Sequence, residues 1–201
     1  MSKEMRNMIN NFKKLLKESV ENEKLYHGNR KGDFPPEKTR FGAIFLTPNV
    51  NFAKNFAGYD EREEFPNGAV FEVKLKSGLK MCDPMNEDSW KGIDIESVLN
   101  KMISEKYVDP VNGQKFLPVT GKGLKGYNPK TKEEFEIDSP EKSVYHYLWR
   151  LKNGAWRIIE CKPIIDKIKS LNYDGYYVVE GSTKNVAIFD KSSIESFKKL
   201  S

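Results

Sequence analysis

"LNYDGYYVVEGSTKNVAIF", residues 171–189, decides the structural class of this chain. Asn-Tyr-Asp-Gly reads as a turn, and Tyr176–Glu180 and Asn185–Phe189 read as β-rich runs. The four residues between the runs, Gly181–Lys184, form the loop of a hairpin. Just upstream, "PIIDKIKSL" (163–171) carries helical spacing with Pro163 in the first turn, where a missing N–H costs nothing.

Short strands and helices recur separately through the rest of the chain. "KLYHG" (24–28) is a strand that opens into the loop "RKGDFPPEKTR" (30–40). "FGAIFLTP" (41–48) is a second strand, ended by Pro48. "NVNFAKNFAGY" (49–59) follows as a helix with Val50, Ala53, Phe56 and Ala57 on one face and Asn49 or Asn51 as its cap. "GAVFEVKLKSG" (68–78) sets Val70, Glu72, Lys74 and Lys76 against Phe71, Val73 and Leu75, the alternation of a half-buried strand. Near the start, Met5, Met8, Ile9, Phe12, Leu15, Leu16 and Val20 describe one face of a helix over residues 3–20.

Periodicity weakens between about residues 85 and 155. "GIDIESVLNKMISEKY" (92–107) and "VYHYLWRL" (144–151) read as helices, and the polar stretch between them holds a short hairpin. A long weakly patterned segment inside a compact domain reads as an insertion. Trp149 and Trp156 are expected to close the core around it. The lysine-rich C-terminus reads as a helix end whose cations suit the dipole. The expectation is a single α+β domain over 1–201, with antiparallel strands and helices laid across them.

The chain has 201 residues, of which 38% are hydrophobic, 12% aromatic and 31% charged, enough for a core under a well-solvated surface. A net charge of +5 helps approach to anionic partners without identifying one. Cys82 and Cys161 stand far apart with no metal-ligand spacing, so no metal site is expected and two isolated thiols suit a reducing cytoplasm. No run approaches the roughly 18 apolar residues of a membrane helix, and the N-terminal stretch lacks a secretion signal. A cytoplasmic protein with no membrane partner is expected.

His27 is one of only two histidines. Alone, an imidazole at a strand end is a partly buried polar residue. The other, His146 among the aromatics of "VYHYLW", reads as a satisfied histidine and not a catalytic one. His27, however, stands in the first of three ordered blocks: "LYHG", then "FGAIFLTPNVNFAKNFA", then "LNYDGYYVVEG" with "KNVAIFDKSSI". Their order resembles the ADP-ribosyltransferase fold on its His-Tyr-Glu side. It is similar to the ADP-ribosyltransferase-like domains of phage and bacterial polyvalent proteins. The resemblance covers roughly residues 24–83 and 156–197.

The resemblance implies split antiparallel β-sheets with flanking helices, NAD as co-substrate, and transfer of ADP-ribose to a macromolecular acceptor, protein or nucleic acid. It suggests a phage or toxin setting, in the cytoplasm of a bacterial host if the protein is phage-encoded. Catalysis of this kind works by holding nicotinamide and stabilising charge that develops on the ribose. By resemblance, Tyr26, His27 and Gly28 belong to the NAD site, with His27 on the nicotinamide ribose or nearby polar atoms. The Gly28 backbone would grip the carboxamide; a role confined to the turn is the other reading of that glycine. Phe45 and Phe56 fall where two aromatics sandwich nicotinamide, and Phe52 competes for the second wall. Thr47 offers a hydroxyl to the site or begins the helix turn. The catalytic glutamate position of the family is Asn185 here, which carries no charge. Glu180, across the proposed hairpin loop, is either a substitute or a solvated strand end.

A degenerate member that binds a nucleotide or a protein without chemistry is the alternative function. A third reading, phosphate chemistry on RNA, would call on Arg30 and Arg40.

Overall fold

A computed structural model describes residues 24–36, 42–90, 92–180 and 183–200. The predicted helix over 3–20 lies outside these residues. In chain order the strands are β1 (Leu25–Asn29), β2 (Ile44–Leu46), β3 (Ala69–Leu75), β4 (Met81–Cys82), β5 (Lys125–Asn128), β6 (Glu133–Glu136), β7 (Gly175–Glu180), β8 (Thr183–Ile188) and β9 (Ile194–Leu200). The α-helices are α1 (Val50–Phe56), α2 (Glu87–Trp90), α3 (Ile95–Ser104), α4 (Ser143–Lys152), α5 (Trp156–Ile159) and α6 (Lys162–Ser170). The chain is thus mixed α and β, with antiparallel sheets and flanking helices. Its described residues divide into two compact units: those within Met1–Phe34, Leu46–Gly78 and Ser192–Ser201, and those within Pro35–Phe45 and Leu79–Lys191.

The first unit is built on an antiparallel sheet of order β1-β3-β9. As the central strand, β3 is covered on both sides at its start: Val70, Phe71 and Val73 are all buried. The half-buried alternation expected for it therefore holds only toward its end, where Lys74 is exposed. One face packs on α1, with Val70 against Ala53 and Ala57. The other carries Phe71, stacked on Phe34 with centroids 5.2 Å apart, and Phe197 edge-on to both.

The C-terminal lysine run is a strand and not a helix end. β9 pairs with β3 from Val70↔Leu200 to Leu75↔Ile194, with a bulge that leaves Glu195 unmatched. Lys198 and Lys199 are tolerated there because an edge strand shows its side chains to water, and edge lysines discourage further pairing. Local propensity favoured a helix, and pairing with a buried central strand overrode it.

The second unit holds a four-stranded sheet of order β2-β8-β7-β4, to which β2 brings Ile44 and Phe45, and a separate β5–β6 hairpin. β7 and β8 form the expected hairpin, from Gly175↔Ile188 to Glu180↔Thr183, so β8 begins two residues earlier than the sequence suggested. Asp174 secures its base: its carboxylate accepts from the Lys80 N–H at 2.6 Å, and its own backbone groups bond Lys80 and Phe189.

Alternation on this hairpin sends Tyr176 and Val178 inward with Ala187, into a core shared with α3, α4, α5 and α6. Trp90, Ile93, Leu99, Met102, Phe116, Leu148 and Leu151, all from the weakly patterned 85–155 stretch, belong to that same core. Pro163 takes the first turn of α6, as its fixed φ allows. Trp156 packs at the margin of this core, whereas Trp149 donates to Glu134 on the β5–β6 hairpin. Among the described residues no helix is long and apolar enough to cross a membrane.

Candidate functional site

In the first unit the site candidates are set by β1 and the helix that follows β2. Successive strand residues alternate, so Leu25, His27 and Asn29 occupy one face of β1 while Tyr26 and Gly28 occupy the other. Opposite Phe71 in register, the His27 ring lies 5.0 Å from that of Phe34. It therefore stands among phenylalanines, half-buried, at the margin of an aromatic cluster.

Tyr26 and Gly28 face α1. Tyr26 exchanges both backbone hydrogen bonds with Thr47, at 2.7 and 2.9 Å, along the outer edge of β1. In an antiparallel strand every second residue turns its N–H and C=O the same way. Gly28 thus directs its N–H and C=O outward too, beyond the Tyr26–Thr47 bridge, and no strand pairs with them there among the described residues. The missing side chain has its own reason: a Cβ on Gly28 would lie 1.8 Å from the Ala53 carbonyl oxygen. Helix and strand touch backbone to backbone at this point, a reason beyond both readings of the glycine taken from the sequence.

Thr47 is buried, and its hydroxyl accepts the Asn49 N–H at 3.1 Å. Asn49 in turn caps α1 through Asn51 N–H and Phe52 N–H. Thr47 begins the helix turn. The helix it starts buries Ala53 and leaves Phe56 52% exposed, edge-on to Phe52 with centroids 5.1 Å apart. Phe56 was expected on the same face as Val50, Ala53 and Ala57, yet its ring is offered to solvent. A core role is therefore excluded for this ring.

Arg30 is held by Glu61 at 3.0 Å and lies 4.0 Å over the Phe65 ring. A guanidinium so engaged has less to give a phosphate. Arg40 lies outside the described residues.

The second unit holds the other candidates. Phe45 is partly buried against that unit's core and meets Tyr176 edge-on at 6.4 Å. Asn185 is opposite Val178 on β8 and only 3% exposed, and its Oδ1 has no hydrogen-bond partner among the described residues. The Tyr176 hydroxyl, on the same face and deeper, is in the same condition. Burial and then the nearby Glu160 push that phenol well above its usual range. Glu180, at the loop end of β7 opposite Thr183, is half-buried, and desolvation raises its carboxyl above the ordinary glutamate value. It is not a fully solvated strand end.

His146 is not fully satisfied as expected. Its Nδ1 is buried without a partner among the described residues, and burial followed by Arg150 lowers its pKa. Cys82 and Cys161 are buried free thiols; desolvation first, then Asp83 for Cys82 and Asp109 for Cys161, raises both, the former to about 12. Such thiols are poor nucleophiles.

Sequence reasoning missed Asp109. It is buried, and its carboxylate accepts from Val111 N–H, Asn112 N–H and Lys162 N–H and from the Tyr107 hydroxyl. The signal was present in "DPVNG", an Asx-turn pattern. The bond to α6, 53 residues away, was not legible.

Comparison with family models, curated proteins and solved structures gives no match.

Proposed function

We propose that this chain binds NAD and transfers its ADP-ribose to a macromolecular acceptor. The observation that carries the reading is the outward edge of β1 at Gly28, where one N–H and one C=O stand side by side beyond the Tyr26–Thr47 bridge. A primary carboxamide, as in nicotinamide, has one acceptor and one donor in the same plane and pairs with such an edge as a strand would. Phe56 supplies an exposed aromatic face on the helix packed against the Tyr26–Gly28 face of β1, while His27, next along the strand, presents its ring on the opposite face beside Phe34. These are the residue types that nicotinamide recognition calls for, grouped in one unit.

Incubation with labelled NAD and a cell lysate tests the proposal. Transferred label and released nicotinamide, both lost in His27→Ala, support it. Neither signal from the wild-type chain removes it.

A second reading is favoured by Asn185. It stands where the resemblance puts a catalytic glutamate, is uncharged, and is buried with its Oδ1 unpartnered. Under that reading the chain binds NAD, or a related nucleotide, without turnover. A rise in melting temperature with NAD and no nicotinamide release would mark a binding module, since a ligand of the folded state stabilises it by mass action.

A further inference from the structure

Residues 106–118 of the second unit form a short two-stranded ribbon with an unusual division of its two faces. Val108 bridges Lys115, Asp109 N–H donates to the Gln114 carbonyl, and Phe116 N–H donates to the Tyr107 carbonyl. These three pairings share one antiparallel register. Alternation then turns Tyr107, Asp109 and Phe116 inward and leaves Val108, Lys115 and Leu117 on the outer face. Burial agrees: Phe116 and Asp109 are almost wholly buried, while Val108, Leu117 and the tip residue Val111 are 49%, 40% and 42% exposed. They are three of the five large hydrophobic side chains left exposed among the described residues.

The ribbon is held rigidly. Asp109 accepts four hydrogen bonds, Gly113 N–H returns to the Asp109 carbonyl, and Asn112 donates to the Arg157 carbonyl. The Tyr147 hydroxyl accepts from Leu117 N–H at 2.9 Å. Ordering costs that a binding loop would otherwise incur on association are thus already met in the unbound chain.

Charge decides what such a face fits. The ribbon's one carboxylate, Asp109, is turned inward and satisfied, so the outer face has cations and no anion. Lys115 stands directly across from Val108, and Lys106 is exposed at the ribbon's base; neither has an acidic partner among the described residues. The neighbouring Glu105 faces Lys101 at 3.9 Å. Nucleic acid is disfavoured, because the outer face has no arginine fork and its two aromatics are turned in. A bilayer rewards aliphatic groups segregated from cations, whereas here lysine and valine sit as cross-strand neighbours. Alternating cationic and aliphatic positions instead match an extended chain that alternates acidic and aliphatic side chains.

We propose that the outer face of the 106–118 ribbon is a docking surface for an acidic, aliphatic polypeptide segment. It stands independently of the NAD reading and uses residues of the second unit only.

The test uses the full chain and a fluorescent synthetic peptide alternating glutamate and leucine, with fluorescence anisotropy as readout. Expected is saturable binding that weakens at least about tenfold in Lys115→Glu and in Val108→Ser, the equivalent of about 1.4 kcal/mol. It should also weaken with added salt, as exposed charge pairs do. Circular dichroism melting checks that both surface variants remain folded, the expected result for exposed positions. The proposal is overturned by no binding, by equal binding of a lysine–leucine peptide, or by binding unchanged in both variants. It is also overturned if the same variants instead abolish binding to phosphatidylserine vesicles or to single-stranded RNA while the peptide does not bind.

Discussion

The Ala53 carbonyl oxygen lies 1.8 Å from the point where a side chain on Gly28 would begin. No rotamer adjustment relieves that contact, because the obstacle is backbone on a helix that must itself stay packed on Val70. Gly28→Ala is therefore expected to destabilise the first unit by about 3 kcal/mol, at the upper end of overpacking costs. Thermal unfolding measures it. The result also constrains the functional test: loss of NAD binding in that variant would report a displaced α1 and not a lost ligand contact.

His27 provides the cleaner probe. Its half-buried ring packs against Phe34 at the margin of the aromatic cluster, so truncation trims the edge of that cluster and leaves its centre intact. His27→Ala should lower stability by no more than about 1.5 kcal/mol. Under the NAD proposal it should abolish most of the thermal stabilisation that NAD confers on the wild-type chain. An NAD-induced shift that survives intact in His27→Ala would take the histidine out of the site.

The hairpin 171–189 was legible because its turn residues and β-branched runs agree with the two described strands, apart from the earlier start of β8 at Thr183. α1 was legible for the same reason, and of its two candidate caps, Asn49 and Asn51, the structure takes Asn49. β9 was not. "IESFKKL" carries no strand alternation of its own, and only a buried partner strand makes it one. Phe56 was wrongly placed with the buried Ala53, since a seven-residue helix does not fix the angular position of its last side chain. The 85–155 stretch looked weakly patterned because, apart from the two helices at 92–107 and 144–151, its apolar residues enter the core from short segments too brief for a period to show. At the candidate site, residue identities were readable but backbone direction was not. The outward edge at Gly28 follows from the Tyr26–Thr47 bridge, a contact between segments separated by a proline-containing loop.

Glu180 has a raised carboxyl pKa because burial penalises its charged form. A folded-state value above the unfolded one favours folding at low pH, and that advantage, complete below the unfolded glutamate value of about 4.3, is lost as pH rises through the higher folded one. Glu180→Gln should consequently be equal to or slightly more stable than wild type at pH 7 and gain nothing near pH 3. Melting curves at the two pH values check this. Nicotinamide release by the same variant, beside Asn185→Asp, separates the two proposed functions: a fall in Glu180→Gln marks a carboxylate used in the reaction. A gain in Asn185→Asp over an inactive wild type marks a binding module that has lost its acid.

Asp109 should be the most costly single substitution at a polar position in the second unit. Burial works to raise its carboxyl pKa, but the N–H groups of Asn112, Lys162 and Val111 and the Tyr107 hydroxyl outweigh burial and hold it below the usual aspartate value. Asp109→Ala leaves those donors without their acceptor, and with charged hydrogen bonds involved the loss is about 3 kcal/mol or more. The pH dependence follows from the lowered value. Stabilisation by this carboxylate is complete above the unfolded aspartate value of about 4 and disappears as pH falls through the lower folded one. Asp109→Asn, which keeps one acceptor oxygen, should be destabilised at neutral pH and show a shallower loss of stability on acidification below pH 4. Denaturant unfolding across that range checks both statements. An Asp109→Asn chain as stable as wild type at neutral pH would mean that the 106–118 ribbon is held by its hydrophobic face alone.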